Sequence, residues 1–341
     1  MTQQTRDRRQ PPRGGHARRK PGQEKAAVEG AAVAVAAKPA APPPLNARRI
    51  AIDVLDRVLG PDHRPFDETF QGHPLLAKLP VRDRAFARLL VTTVLRRLGQ
   101  IDQAVLPLLR YRPKELPVTN MLRLGAAQLL FLSTPPHAAV AETVRLAAKG
   151  FRREVPMLNA VLRKIASASR SLLDGQDAPR LNTPKWLWES WAAAYGEEQA
   201  REIAQAHLIE PPLDLSVKGE AERWADELGA EILPTGTLRR RSGGLVDALP
   251  GYEEGAWWVQ DAAAAAPVRL LGDVSGRDVV DLCAAPGGKT MQLASGGATV
   301  TAVDISEERL TRVRANLERT KLDAKIVCAD ARTFEPPAPA D

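Results

Sequence analysis

The sequence is poor in cysteine, in aromatic side chains and in long apolar runs. Two cysteines, Cys283 and Cys328, in 341 residues cannot build a disulfide framework, so a reducing, cytoplasmic setting is the expectation. Aromatic residues make up 4%, which leaves core packing mainly to aliphatic side chains. No apolar run reaches the roughly eighteen residues that a membrane span needs, and no membrane partner is expected. The basic N-terminus carries no compact leucine-rich stretch followed by a cleavage site, which argues against a secretory signal.

What is present is charge, unevenly placed. The net charge is +7, but residues 1–44 carry +6, residues 45–170 carry +11 and residues 171–341 carry −10. A polycationic first half is suited to a phosphate backbone, and the polyanionic second half must do something else. The competing explanation is that arginine is simply a favoured surface residue here.

Residues 1–44 are rich in Arg, Pro, Gly and Ala, too poor in large apolar side chains to offset the entropy of ordering, and are expected to be a disordered basic tail. Residues 45–170 read as helix after helix. Ile50, Val54, Leu55 and Val58 share one helical face, as do Phe86, Leu89, Leu90, Val94 and Leu98, while Arg82, Arg84, Arg88, Arg96 and Arg97 lie largely off that stripe. The expectation is an all-α bundle with an arginine surface, in which Arg84, Arg88 and Arg97 are candidate RNA contacts. His137, after two prolines at a helix start, is read as a surface or capping residue. Nothing in the bundle offers a nucleophile–base pair, and no metal is expected.

Residues 171–180 read as a linker and residues 181–250 as a small α/β connector. In it Thr183 is expected to cap a helix that opens with Pro184. Trp188, Trp191 and Tyr195 share a face by spacing and are read as core. A hairpin is expected to turn at Ser242-Gly243-Gly244, with Arg239, Arg240 and Arg241 on one arm, either solvated or touching phosphate.

Residues 251–341 hold the stretch DLCAAPGGKT, Asp281 to Thr290. The order is strand (Val279, Val280, Leu282), tight turn, helix to Gly296-Gly297, strand ending in Asp304, helix, strand ending in Asp330. This βαβαβ run predicts parallel strands with a ligand crevice at their C-terminal ends. The turn is not a Walker phosphate loop, because the position six residues before Lys289 is Cys283 rather than glycine. It is not a dinucleotide fingerprint, because Gly287 and Gly288 are adjacent. Cys283 has no base or cation close in sequence to make it a thiolate, and is read as lining the pocket. A nucleoside site without a pyrophosphate survives these exclusions. Adjacent glycines let the backbone approach a ligand, and the helix N-terminus offers N–H groups to a carboxylate. Asp304 is spaced to accept from ribose hydroxyls and Asp330 to meet an adenine amino group. A ligand with an amino-acid end, a ribose and an adenine is S-adenosylmethionine. The bland alternative is that both aspartates only cap the helices that follow.

The segments LCAAPGGKT, VQDAAAAAP and VDIS resemble the RNA 5-methylcytosine methyltransferases of the NOL1/NOP2/Sun family. The helical region, with ARRIAIDVL, DRAFARLLVTTVLRR and MLRLGAAQLLFL, resembles the NusB RNA-binding domain. That pairing is similar to the bacterial RsmB-type layout, and the resemblance covers about residues 46–341. It implies a NusB-like bundle, a connector and a Rossmann-like methyltransferase domain acting on C5 of a cytosine in small-subunit (16S) ribosomal RNA, as a monomer. It also implies that Cys283, Ala284, Ala285, Pro286, Gly287, Gly288 and Lys289 line the methionine and ribose side of S-adenosylmethionine, with Asp304 on the ribose and Asp330 on the base. Gln260 and Asp261 match the segment before the fold, where Asp261 would cap a helix. The family's two catalytic cysteines lie on later strands than this sequence contains. A C-terminally truncated chain, inactive alone and poorly soluble, is therefore the expectation, with no catalytic residue named. The alternative is a non-catalytic RNA-binding or antitermination protein with a vestigial cofactor fold.

Overall fold

Helix α1 (Ala47–Val58) starts where the Asn46 side chain accepts a hydrogen bond from the Arg49 amide at 2.9 Å. The computed structural model describes residues 46–148, 150–168, 171–241, 246–336 and 339–341. The tail expected at 1–44 and the turn expected at Ser242-Gly243-Gly244 lie outside the described residues. The bundle continues through α2 (Phe66–Gln71), α3 (Val81–Arg96), α4 (Leu98–Val105), α5 (Leu116–Leu130), α6 (Pro136–Ala147) and α7 (Val155–Ala168). The predicted stripes meet inside it. Ile50, Val54 and Leu55 of α1 and Leu90 and Val94 of α3 pack with Leu124 of α5 and Leu158 and Leu162 of α7. A buried polar network crosses the apolar core. Asn120 donates to Asp56 at 2.8 Å and accepts from Arg123, which holds Asp102 through two bonds at 2.8 and 2.7 Å. Burial pushes the Asp56 carboxyl above the usual range, opposed by the Asn120 bond.

His73 is buried at the edge of this core. Its Nδ1 accepts from the Leu75 amide at 3.3 Å and its Nε2 faces Asp53 at 3.7 Å. Burial lowers its pKa, with Asp53 opposing and Arg57 assisting. A histidine held below its unfolded value of about 6.5 contributes stability above that pH and loses it as pH falls through the lowered folded value. Melting temperature should therefore drop between pH 7 and pH 5, and less steeply in His73→Gln. Parallel pH profiles for the two proteins would show that His73 carries no part of the acid sensitivity.

Residues 171–180 are not a free linker. Gln176 accepts from Gln100 of α4 at 3.2 Å. Asp177 caps α8 (Ala178–Leu181) and pairs with Arg201 at 2.8 Å. Polar side chains that look like linker composition are here the groups that fasten the segment. Two helices follow, α9 (Lys185–Tyr195) and α10 (Glu197–His207). Only one face of α9 is covered, so the three aromatics divide. Trp188 is buried under Arg180 and Arg201, Trp191 lies edge-on to His207, and Tyr195 is exposed. Thr183 does not cap α9; its hydroxyl donates to the Pro179 carbonyl at 2.8 Å, and the helix begins after Pro184.

The connector holds β1 (Leu213–Val217), α11 (Ala221–Leu228), β2 (Glu231–Ile232), β3 (Leu238–Arg240) and β4 (Trp257–Val259) in an antiparallel sheet of order β2-β3-β1-β4. A hairpin turns between Leu233 and Thr237, where Pro234 and Gly236 supply the turn chemistry. Because β4 pairs with β1, the expected boundary at residue 250 falls inside this sheet. Arg239 is held by buried Asp214 at 2.8 and 2.7 Å, which also keeps that carboxyl below the usual range. Arg239 is therefore committed within the fold.

Asp261 caps α12 (Ala262–Leu270), as expected, accepting from the amides of Ala263 and Ala264. The chain then runs through β5 (Asp278–Leu282), α13 (Gly288–Ser295), β6 (Thr299–Asp304), α14 (Glu307–Thr320) and β7 (Lys325–Cys328). The strands are parallel in the order β5-β6-β7, with Leu282 opposite Val303 and Asp304 opposite Cys328. This is the predicted α/β arrangement following a helical bundle. It departs from expectation at β5, where Val279 and Val280 are half-buried and Leu282 is exposed. The cause is that, among the described residues, β5 has a paired strand on one side only.

Candidate functional site

The C-terminal ends of the parallel strands gather the loop Cys283–Lys289, Asp304 and Asp330. The Ala284 amide donates to the Val303 carbonyl at 2.9 Å and the Ala285 amide to the Asp304 carboxylate at 3.1 Å. One residue past β7, the Ala329 amide donates to the Asp304 carbonyl at 3.1 Å. β7 itself ends at Cys328, so Asp330 sits in the turn beyond it.

The loop is held from all sides. Cys283 has a φ of +60° and Gly287 a φ of +103°, and the Ala285–Pro286 peptide is cis. Each carbonyl from Ala284 to Gly288 has a donor. Gly287 N–H serves Ala284 at 2.7 Å, Arg309 serves Ala285 at 2.8 Å and Asn316 serves Pro286 at 2.9 Å. Met291 N–H serves Gly287 at 2.8 Å and the Trp258 indole serves Gly288 at 3.1 Å. Trp258 is itself fixed by Gln260, which accepts from it and from Ser216 and donates to Gln292.

Gly288 tests whether these residues fit a ligand at the backbone. A Cβ added there would meet only the Gln260 side chain, nearest atom 3.5 Å, an ordinary contact. The packing around Gly288 therefore leaves room for a methyl group. At Gly287 the positive φ is itself the reason for glycine.

Two groups here were not anticipated from the sequence. Asp281 is buried, and its carboxyl accepts from the Thr290 hydroxyl at 2.6 Å. Burial raises its pKa; Thr290 and the charge of Lys289 oppose that shift. Ile305 is 67% exposed beside Asp304, an unusual place for an apolar side chain. Strand alternation could have flagged Asp281 as inward-facing, and its position at a strand tip could have flagged Ile305.

Asp304 is less available than its sequence position promised. Its side chain is 1% exposed. It accepts from the amides of Ala285 and Ser306, and Arg309 lies 3.4 Å away. Asp330 is clasped by Arg332 through the side chain and the amide, which holds its carboxyl below the usual range. Both aspartates thus make local turn contacts in this state. Cys283 and Cys328 are exposed free thiols, and Cys328 approaches only the Ile305 carbonyl, at 3.6 Å. Among the described residues no group of three or more His, Cys, Asp or Glu side chains is placed to hold a metal ion.

The arginines singled out on the bundle are engaged within it to different degrees. Arg88 pairs with Asp67 at 2.9 Å and stacks over Phe66 and Phe70. Arg97 is largely consumed by the fold, donating to Gln100 and to the Leu208 carbonyl and covering Phe131, and burial lowers its pKa. Arg84 is half-buried, with its Nε unpartnered. The bundle reaches the loop beside the partners of Arg88. Phe66, Asp67 and Glu68 face Pro286, Arg309 and Arg312 across a crevice of about 320 Å³.

Comparison with known proteins agrees with this layout. Residues 45–167 match the NusB family and residues 268–338 match the 16S rRNA methyltransferase RsmB/F family. Ribosomal RNA small subunit methyltransferase B of Escherichia coli (strain SMS-3-5 / SECEC) is 37% identical over 278 residues, covering 76% of this chain and 64% of the relative. The protein of that name from Shigella flexneri is 36% identical over the same length. The chain thus spans about 64% of the length of the curated relatives it matches. The crystal structure of PH0851 shares the fold, with a TM-score of 0.61 at 20% identity over 83% of this chain and 68% of its own. Residues 45–167 are therefore similar to the NusB family, and residues 268–338 to the RsmB/F family of 16S rRNA methyltransferases.

Proposed function

We propose that this chain carries the S-adenosylmethionine-binding part of an enzyme that methylates C5 of a cytosine in 16S ribosomal RNA. The observation that carries the proposal is the loop Cys283–Lys289, whose carbonyls from Ala284 to Gly288 are all engaged by the protein while a methyl at Gly288 would make only ordinary contacts. The relatives' function and the NusB and RsmB/F matches support the RNA substrate. Cytosine C5 rests on the resemblance in the loop motif.

The bound cofactor would supply an electrophilic methyl group on sulfur. The chain's own residues bind and orient it. The N-terminus of α13, with the Gly287-Gly288 backbone, faces the carboxylate of the amino-acid end. Asp281, below the loop, balances the cationic end. Asp304 accepts from the ribose once Arg309 moves, Ile305 covers one face of the adenine, and Asp330 accepts from its amino group. Cys283 and Lys289 line the wall. Neither cysteine is assigned as a nucleophile, because neither has a base or cation hydrogen-bonded to sulfur among the described residues. The bundle supplies the RNA-holding surface, and the chain works as a cytoplasmic monomer. No helix among the described residues is long and apolar enough to cross a membrane.

Titration calorimetry with S-adenosylmethionine tests the cofactor reading without requiring turnover. The chain should bind it, and Asp304→Ala should bind it more weakly by roughly 1–3 kcal/mol, the scale of losing a charged hydrogen-bond partner. Undiminished affinity in that variant would put the ribose elsewhere.

A further inference from the structure

Two stretches far apart in sequence meet at one end of the bundle. The Tyr111 hydroxyl donates to Glu154 at 2.9 Å, which fastens the segment before α5 to the turn before α7. Glu115, Phe151, Arg152, Arg153 and Glu154 line a groove of about 460 Å³ at this junction. Arg152 and Arg153 in its wall are exposed, against the two carboxylates of Glu115 and Glu154, and Arg110, Arg112 and Lys114 are exposed on the segment that Tyr111 ties to it.

These cations differ from the arginines on α3. Arg88 and Arg97 already hold carboxylate, amide or carbonyl groups of the protein, and an incoming phosphate must displace those partners. Arg110, Arg112, Lys114 and Arg153 make no ion pair or side-chain hydrogen bond with another described residue, and Arg152 spends only its Nε, on the Ala148 carbonyl. Their charges are available at no internal cost. Tyr111 adds a second chemistry. Its ring is 54% exposed, yet the hydroxyl tether fixes its direction, so a flat apolar face is presented in a set orientation beside free cations.

Free cations around a groove with one oriented aromatic ring match a nucleic-acid strand whose bases are unpaired, because a base inside a duplex has no face to offer. We propose that this groove seats single-stranded RNA, with Arg110, Arg112, Arg152 and Arg153 on phosphates and Tyr111 stacked on a base. The inference rests on the RNA reading above and assigns that reading to a face of the bundle away from α3.

The test is fluorescence anisotropy of a labelled single-stranded RNA of about twenty nucleotides with the full chain, in a KCl series. Wild type, R110E/R112E/R152E/R153E, Y111A and R84E/R88E are compared, each checked for folding by thermal melt and S-adenosylmethionine titration. The fourfold variant should lose at least tenfold in affinity, and its log–log salt slope should flatten by about 0.7 for each phosphate contact removed. Y111A should lose about tenfold, the scale of one base–aromatic stack, with the slope unchanged. Wild-type affinity and slope in the fourfold variant overturn the proposal. If R84E/R88E alone loses binding, RNA recognition stands and this face does not. If wild type shows no salt-dependent binding, the RNA reading falls with it. Equal affinity for a duplex together with an indifferent Y111A overturns the single-strand assignment.

Discussion

Gly288→Ala is expected to melt at or slightly above the wild-type temperature and to bind S-adenosylmethionine at least tenfold more weakly. The two halves of this result have separate causes. Gly288 opens α13 without a positive φ, and a Cβ there would touch Gln260 at an ordinary 3.5 Å. Alanine at such a position narrows the unfolded ensemble and stabilises by about 0.4–1 kcal/mol. In the proposed site the same methyl would take up space that the backbone needs to meet the cofactor. The loop cannot retreat to make room, because the Gly288 carbonyl is pinned by the Trp258 indole and Ala285 and Pro286 are held by Arg309 and Asn316. A tenfold loss corresponds to about 1.4 kcal/mol, well within what one misplaced methyl costs in a rigid site. Calorimetric titration beside a thermal melt reads both quantities. Unaltered affinity would mean that the cofactor does not lie over Gly288, and the proposed site would have to be abandoned.

Gly255→Ala should be the most destabilising of the substitutions considered, by about 3–5 kcal/mol. Gly255 has a φ of +67°, and a Cβ there would stand 2.0 Å from the Arg319 carbonyl oxygen and 2.7 Å from the Thr320 Cα. Those are backbone atoms at the end of α14, so no side chain can swing aside. The junction is also built around them. Arg319 donates to the carbonyls of Tyr252 and Trp257 and lies 4.1 Å over the Tyr252 ring, and Lys218 donates to the Thr320 carbonyl at 2.7 Å. Pushing α14 away breaks these contacts together. Gly272→Ala is the control, since Gly272 has a φ of +73° with nothing within 4 Å of its added Cβ. It should cost only the left-handed conformation, about 1–2 kcal/mol. Equal urea midpoints for the two variants would show that α14 is not docked on the connector as described.

Much of the architecture was legible because it is local. The stripe of Ile50, Val54 and Leu55 predicted α1, the alternating β and α segments predicted the parallel sheet, and Asp261 predicted the start of α12. The loop motif itself lies at the strand tips, as expected. What escaped was settled by residues distant in sequence. Arg97 reads as a surface arginine from helical spacing, yet it answers the Leu208 carbonyl 111 positions away. Arg239 reads as one of three solvated cations until Asp214 of β1 lies beside it. Asp304 was correctly placed at a strand tip, but nothing in its neighbours announces that Arg309 will fold back over it. The exposure of Tyr195 and Leu282 reflects which helix face and which sheet edge found a partner, a property of the assembled chain.

The fully engaged carbonyls between Ala284 and Gly288 also bear on how quickly a ligand is captured. A loop that stays mobile until its ligand arrives loses conformational entropy at that moment, and the encounter is slowed and weakened accordingly. Here that entropy is surrendered while the chain folds. On the proposed reading, what remains to move is one side chain, Arg309, on the fast timescale of rotamer exchange rather than that of backbone reordering.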